Sequence, residues 1–284
     1  MSEEINVWKK ENWPQRLFEI PEPPKKLYFR GTLPPDDYIY ICIVGSRKYT
    51  PYGKSVCEHI IKGLAGLPIV VVSGLALGID SIAHKAALDA GLHTMAFPGS
   101  GISDKVIYPR INFSLAKQIL STGSSIISEF ESNEKAQPWF FPSRNRIMAG
   151  LSHLTLIIEA TPKSGTLITA RLALDYNREV GVVPGSIFSQ SSQGPLALLK
   201  DGAHLITSAE DICDILNIKK SESIILGSLT KEEKEVLRHI TYPHNRNELF
   251  EKINLPTNTI QSILMKLELQ GLIKESNGFI CQNI

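Results

Sequence analysis

The sequence predicts a doubly wound, mostly parallel α/β sheet followed by a small C-terminal winged-helix domain. Short, nearly continuous apolar runs rich in Val and Ile alternate with stretches of helical periodicity from residue 39 to residue 216. Each run empties into a polar turn, most of them carrying glycine. After Lys219-Lys220-Ser221 the rhythm changes to closely spaced helical stretches and two short apolar runs. Strands buried on both faces lose the alternation of a half-exposed sheet, and parallel strands need helical crossovers between them.

The candidate strands are 39–45, 69–73, 93–98, 125–129, 154–160 and 180–184. Helical periodicity occupies 52–65, 79–90, 110–120, 144–151, 166–178 and 208–216. Together, residues 36–218 form the sheet domain. Upstream, residues 1–35 carry Trp13-Pro14, Pro21-Glu22-Pro23-Pro24 and Pro34-Pro35. Proline lacks an N–H and blocks helix continuation, so an extended arm lying on the core is expected. In the small domain, 222–284, the stretches 230–241, 246–253 and 256–271 read as helices. Thr230 and Thr257 are suited to helix starts, and Ser276-Asn277-Gly278 to a hairpin turn. Helix–helix–helix–hairpin is the winged-helix order.

With 284 residues, 43% apolar, and a formal net charge of +1, the molecule as a whole does not attract a polyanion. Binding of one must come from a local patch. Cys42, Cys57, Cys213 and Cys281 are far apart with no CxxC pair, which favours reduced thiols over disulfides or a metal site. No cofactor is expected. No apolar run approaches the ~18 residues of a membrane span, and Met-Ser-Glu-Glu does not open a signal peptide, so a cytoplasmic protein is expected.

The chemistry sits in the turns after the strands. Gly45-Ser46-Arg47 offers close backbone approach, a hydroxyl donor and a planar cationic fork. Gly99 and Ser100 belong to a small-residue turn suited to an anion nest, and Arg110 opens the helix that follows. Phe140 and the segment Phe141-Pro142-Ser143-Arg144-Asn145-Arg146 join aromatic rings to two cations and an amide, the residue types that stack on a base and hold a nucleic-acid backbone. Lys163-Ser164-Gly165-Thr166 sets a cation ahead of a helix start, where free N–H groups and the dipole favour phosphate. It lacks the full P-loop pattern, and the first turn lacks GxGxxG, so neither ATP hydrolysis nor NAD is indicated. Ser73, Asp80 and His84 do not form a hydrolase triad: Asp80 and His84 lie four apart on one helix, and Ser73 is not in a GxSxG elbow.

The chain resembles the DNA-processing protein A (DprA/Smf) family. The matching segments are RGTL at 30–33, GSR at 45–47, SGLALGID at 73–80, AFPGSG at 96–101, IYPRIN at 107–112, ISEF at 127–130, FPSRNRIMAGLS at 141–152, EATPKSGTLITA at 159–170 and VVPGS at 182–186. The resemblance implies an extended Rossmann-like domain that binds single-stranded DNA, self-associates as a homodimer and loads RecA recombinase in natural transformation and recombination, without being an enzyme. It assigns DNA contacts to Arg47 and Arg110, with Arg144 to Arg146 and Ser164 to Thr166 lining the same pocket. Leu77 stands where the family usually has arginine, which removes one cation. Residues 221–284 carry seven Lys or Arg against eight Asp or Glu. That balance suits a protein partner for the winged helix better than duplex DNA.

The alternative is a phosphoribohydrolase-like enzyme acting on nucleotides, with Glu159 and Glu129 as its carboxylates. The SGTLITA helix start lacks the PGGxGTxxE pattern of such enzymes. A winged-helix transcription factor with a ligand-sensing domain is disfavoured by the acidic balance of the C-terminal module.

Overall fold

The computed structural model describes residues 4–218, 230–240, 244–253, 255–269, 272–276 and 278–282. They fall into two units, 1–218 and 219–284. In the first, strands β1 (Asn6–Trp8), β2 (Leu27–Gly31), β3 (Ile39–Val44), β4 (Ile69–Ser73), β5 (His93–Ala96), β6 (Ser125–Ser128), β7 (Leu154–Ile157), β8 (Glu179–Val182) and β9 (His204–Leu205) make one sheet. Helices α1 (Pro51–Gly63), α2 (Ile79–Asp89), α3 (Phe113–Ser121), α4 (Phe140–Leu151), α5 (Thr166–Asp175), α6 (Gln193–Lys200) and α7 (Ala209–Ile215) connect or follow the strands.

The strand order is β1-β2-β6-β5-β4-β3-β7-β8-β9, parallel from β6 to β9. From β3 the chain winds outward through β4 and β5 to β6, then returns through α4 to β7 on the other side of β3. That reversal creates a crevice beyond the carboxyl ends of β3 and β7, the usual ligand position in such sheets. The predicted strands all form, and the predicted mostly parallel α/β class is the observed one. Ile69, Val70, Val71 and Val72 are fully buried, as are Ile41, Cys42 and Ile43, because helices cover both faces of the sheet.

The N-terminal segment differs from the expected arm. β1 and β2 are integral strands, antiparallel to each other and, through β2, to β6. Trp8, Trp13, Leu17 and Leu27 are core residues. Each indole N–H is satisfied locally, Trp8 by the Asn12 carbonyl and Trp13 by the Trp8 carbonyl. Arg178, buried at the end of the α5–β8 turn, donates to the Arg16 carbonyl and Glu19. The prolines fall between these elements, where they interrupt nothing. β9 and α6 also lie outside the sequence expectation. The predicted 110–120 helix begins as a 3-10 turn at Arg110–Asn112 before α3.

In the second unit, α8 (Lys231–His239), α9 (Arg246–Lys252) and α10 (Thr257–Leu269) precede an antiparallel hairpin, β10 (Ile273–Ser276) with β11 (Phe279–Gln282). Thr230 and Glu233 form a capping box at α8, and Asn245 caps α9. Val236, Leu249, Ile260, Leu264, Leu267 and Ile280 belong to a separate apolar core. The predicted turn residue Asn277 and the segment 219–229 lie outside the described residues.

His84 is fully buried on α2, its Nδ1 2.7 Å from Thr94 Oγ1. Burial holds its pKa down to about 3. It is therefore neutral in the fold, whereas an unfolded histidine takes up a proton near pH ~6.5. Between those values the unfolded chain binds the extra proton, so stability falls as pH falls, by about 1.4 kcal/mol per pH unit from this group. His84→Gln should flatten the slope of urea-unfolding free energy between pH ~6.5 and ~5 by about one proton.

Candidate nucleic-acid interface

A cleft of about 770 Å³ opens at the β3/β7 switch point. Gly45, Ser46, Arg47, Lys48 and Thr50 after β3 form one wall, and Thr161, Ser164, Gly165, Thr166, Ile168 and Thr169 after β7 form the opposite wall. Phe141, Pro142, Arg144, Asn145 and Met148 of α4 supply a third side, and Ser189, Gln190 and Ser191 beyond β8 a fourth. Arg47 also lines a smaller annex of about 40 Å³ with Ala76, Leu77, Tyr108, Pro109 and Phe141.

The walls are tied together. Thr166 Oγ1 donates to the Gly45 carbonyl at 3.1 Å and accepts from Ser164 Oγ at 3.0 Å, which latches the start of α5 to the β3 turn. A Cβ at Gly45 would lie 2.7 Å from Ile79, so glycine lets the turn pack on α2. Glu159, buried beneath the rim, accepts from Thr50 N at 2.9 Å and from Thr50 Oγ1 at 2.5 Å. It also accepts from Ser191 Oγ at 3.2 Å, so one carboxylate holds the β3 and β8 turns together. Thr50 itself caps α1 by accepting from Gly53 N, with Pro51 in the first helical turn.

The floor carries Asp80 and Arg144. Arg144 is 6% exposed and donates to the carbonyls of Gly74 and Phe97 and to Asn145 Oδ1. Asp80 accepts from Gly74 N at 3.1 Å. Burial pushes the Asp80 carboxyl above its ordinary range, against the pull of Arg144 and of the Ala76 and Gly74 amides. At the mouth, Arg47, Lys48 and Lys163 are exposed. The Arg47 guanidinium carbon lies 5.8 Å from the centre of the Phe141 ring, and Tyr108 lies 5.9 Å from that same ring. The cleft thus pairs accessible cations and hydroxyls with accessible aromatic surface, a chemistry suited to a strand of phosphates and bases.

Residues 4–217 match the family described as DNA recombination-mediator protein A. The chain belongs to this family. DNA processing protein DprA of Bacillus subtilis is 40% identical over 205 residues, which cover 72% of this chain and 68% of that protein. Protein Smf of Escherichia coli is 38% identical over 206 residues, 72% of this chain and 54% of its own, so the chain spans about half the length of that relative. Among solved structures, DprA from Streptococcus pneumoniae superposes with a TM-score of 0.68 at 35% identity, covering 75% of this chain and 74% of its own. DprA from Helicobacter pylori, solved for its single-stranded DNA binding mode, gives 0.66 at 31% identity, with coverage of 75% and 95%.

Within this chain, the structure brings Gly45, Ser46, Arg47, Phe141, Arg144, Asn145, Ser164, Gly165 and Thr166 to one cleft. Lys163 stands exposed just before Ser164. Arg110 follows the annex residues Tyr108 and Pro109; it lies outside the cleft lining, its guanidinium carbon 4.0 Å above the Phe113 ring. Gly99 acts through packing, since a Cβ there would meet the Phe141 ring at 2.5 Å. Two expected contacts take other places, and the Phe140 ring is buried, stacked on Phe130. Ser100 is fully buried, donating to the Gly101 carbonyl and accepting from Ser128 through its own carbonyl. Arg146 is engaged by Glu129 and the Glu22 carbonyl. Arg144 is a floor residue whose donors face backbone carbonyls. Helix periodicity does not reveal which cation of Arg-Asn-Arg turns inward.

The two carboxylates considered for nucleotide hydrolysis are likewise committed, Glu159 to Thr50 and Ser191 and Glu129 to Arg146. Ser189 to Ser191 belong to the polar stretch 189–194 that follows the last predicted strand, whereas Thr50 enters the site unannounced by any phosphate motif. A Thr-Pro pair at a helix start was the signal available for Thr50. Glu159→Gln should loosen both rim turns, read as faster amide exchange over 46–53 and 184–192 with little change over β4 and β5.

Proposed function

We propose that this chain binds single-stranded DNA across the β3/β7 cleft, in a sequence-independent way, and acts as a recombination mediator that delivers the strand to RecA recombinase during natural transformation and recombination. The observation that supports this most directly is the joining of exposed Arg47 to the Phe141 and Tyr108 rings at the mouth of the cleft. Phosphates would sit on Arg47, Lys48, Lys163 and the start of α5, with Arg110 serving the strand beyond the annex. Bases would stack on Phe141 and Tyr108. A duplex keeps its bases stacked inside, so selectivity for a single strand follows from rings that must be reached face-on. The family membership and the relative solved for single-stranded DNA binding support the same reading.

A homodimer is part of this proposal, as is a winged-helix role for the second unit in contacting protein. Lys266 is engaged by Glu233 and Arg246 by Glu275, which lowers the cationic surface that unit can offer to phosphates. The protein works by binding and handing over rather than by bond cleavage, in keeping with Glu159 engaged by Thr50 and Ser191 and Glu129 by Arg146.

Binding of an oligothymidylate should fall steeply with salt. Arg47→Ala should weaken it about tenfold and reduce the slope of log affinity against log salt by about 0.7, the contribution of one phosphate contact on a single strand. Arg146→Ala, titrated in parallel, should leave that slope unchanged. Fluorescence anisotropy over a salt series measures both, and equal slopes for Arg47→Ala and the parent protein would remove Arg47 from the site.

A further inference from the structure

The turn after β8 carries two adjacent large apolar side chains that the phosphate site leaves unused. Phe188 is 91% exposed and Ile187 71%. Single exposed apolar residues are ordinary on protein surfaces, but a neighbouring pair at a turn tip marks a contact surface. The turn is also built to hold its shape. Tyr52 Oη donates to the Pro184 carbonyl at 2.7 Å, Phe188 N to Ser186 Oγ at 3.3 Å and Ser189 N to the Ser186 carbonyl at 3.0 Å. Ser191 is fastened to Glu159 below.

We infer that Phe188, with its neighbour Ile187, is a second base-stacking edge for the single strand held in the cleft, on the side away from Phe141. This rests on the proposed DNA-binding function. Continuity with the cleft selects the occupant: Ser189, the next residue along the chain, lines it. The sheet order separates the two aromatic edges, since Phe141 borders the turns after β4 and β5, whereas Phe188 follows β8. Four strand spacings divide β5 from β8, about 19 Å. A strand crossing the cleft would thus meet cations in the middle and rings at both ends. Phenylalanine stacks on any base through its face and carries no charge, so this edge adds affinity without sequence preference and without salt dependence.

The test measures binding of the full chain to oligothymidylates of about 4 and about 16 nucleotides over a salt series, with molecular mass by light scattering. Phe188→Ala should weaken the longer oligonucleotide about tenfold, change the shorter one little, and leave the salt slope as in the parent. Phe188→Trp should restore affinity and show indole quenching on addition of the longer oligonucleotide. Unchanged affinity in Phe188→Ala, with the parent binding normally, overturns the inference and leaves the cleft reading intact. A drop in molecular mass in Phe188→Ala without loss of DNA affinity assigns the tip to contact between copies and also overturns it. Failure of the parent chain to bind either oligonucleotide overturns the cleft reading and this inference with it.

Discussion

The geometry of the cleft depends on a buried charge arrangement around one glycine. Asp80 from the start of α2 accepts from the Gly74 amide, while Arg144 from α4 donates to the Gly74 and Phe97 carbonyls. A Cβ on Gly74 would lie 2.2 Å from Arg144 Nη1 and 2.5 Å from Asp80 Oδ2, so only glycine leaves room for both. Strand ends present carbonyls and amides that no further ladder can satisfy. Here two charged side chains satisfy them, fixing the exits of β4 and β5 against two helices. Removing either partner would leave the other charge buried and uncompensated, which is far more damaging than never having built the pair. Asn112 reinforces the same corner by donating to the Leu75 and Ala76 carbonyls.

That corner divides the labour among the basic residues. Arg30, Arg144 and Arg178 are buried and spend their donors on carbonyls and carboxylates, and Arg146 is half-buried against Glu129. Arg47, Lys48 and Lys163 remain at the surface beside the switch point. A molecule near electroneutrality can therefore present a positive field in one place. Local concentration of charge, with the Glu159 carboxylate held below the rim by Thr50 and Ser191, replaces a high net charge.

The parallel core was legible in the sequence because strands such as Ile69–Ser73 are apolar on both faces, and because the Gly-containing turns mark where each one stops. β1 and β2 were not, since a three-residue strand has too few positions for periodicity and the surrounding prolines argue against regular structure. α6 was hidden by Gly194 and Pro195 at its start, and β9 by its brevity. For the site, the turns after β3, β7 and β8 share one cleft because doubly wound topology brings the carboxyl ends of the parallel strands to one edge. The fate of individual side chains was not legible. Ser100 and Arg146 have the right chemistry, yet their partners, Gly101, Glu129 and Glu22, become neighbours only through the fold. Glu159 was visible as a carboxylate, whereas its role as a clasp requires knowing that the β3 and β8 turns flank β7.

The antiparallel insertion of β2 beside β6 bears on how the chain folds. Gly31 pairs with Ser125 and Tyr28 with Ser128, so the β1–β2 pair joins the main sheet only through a strand far along the chain. Contacts between distant stretches close large loops and form slowly. Trp8, Trp13 and Leu17 pack in the same core as Val70 and Ile147, so they gain their cover only when that long-range pairing has formed. The edge that β1 and β2 extend therefore depends on the closure of a long loop.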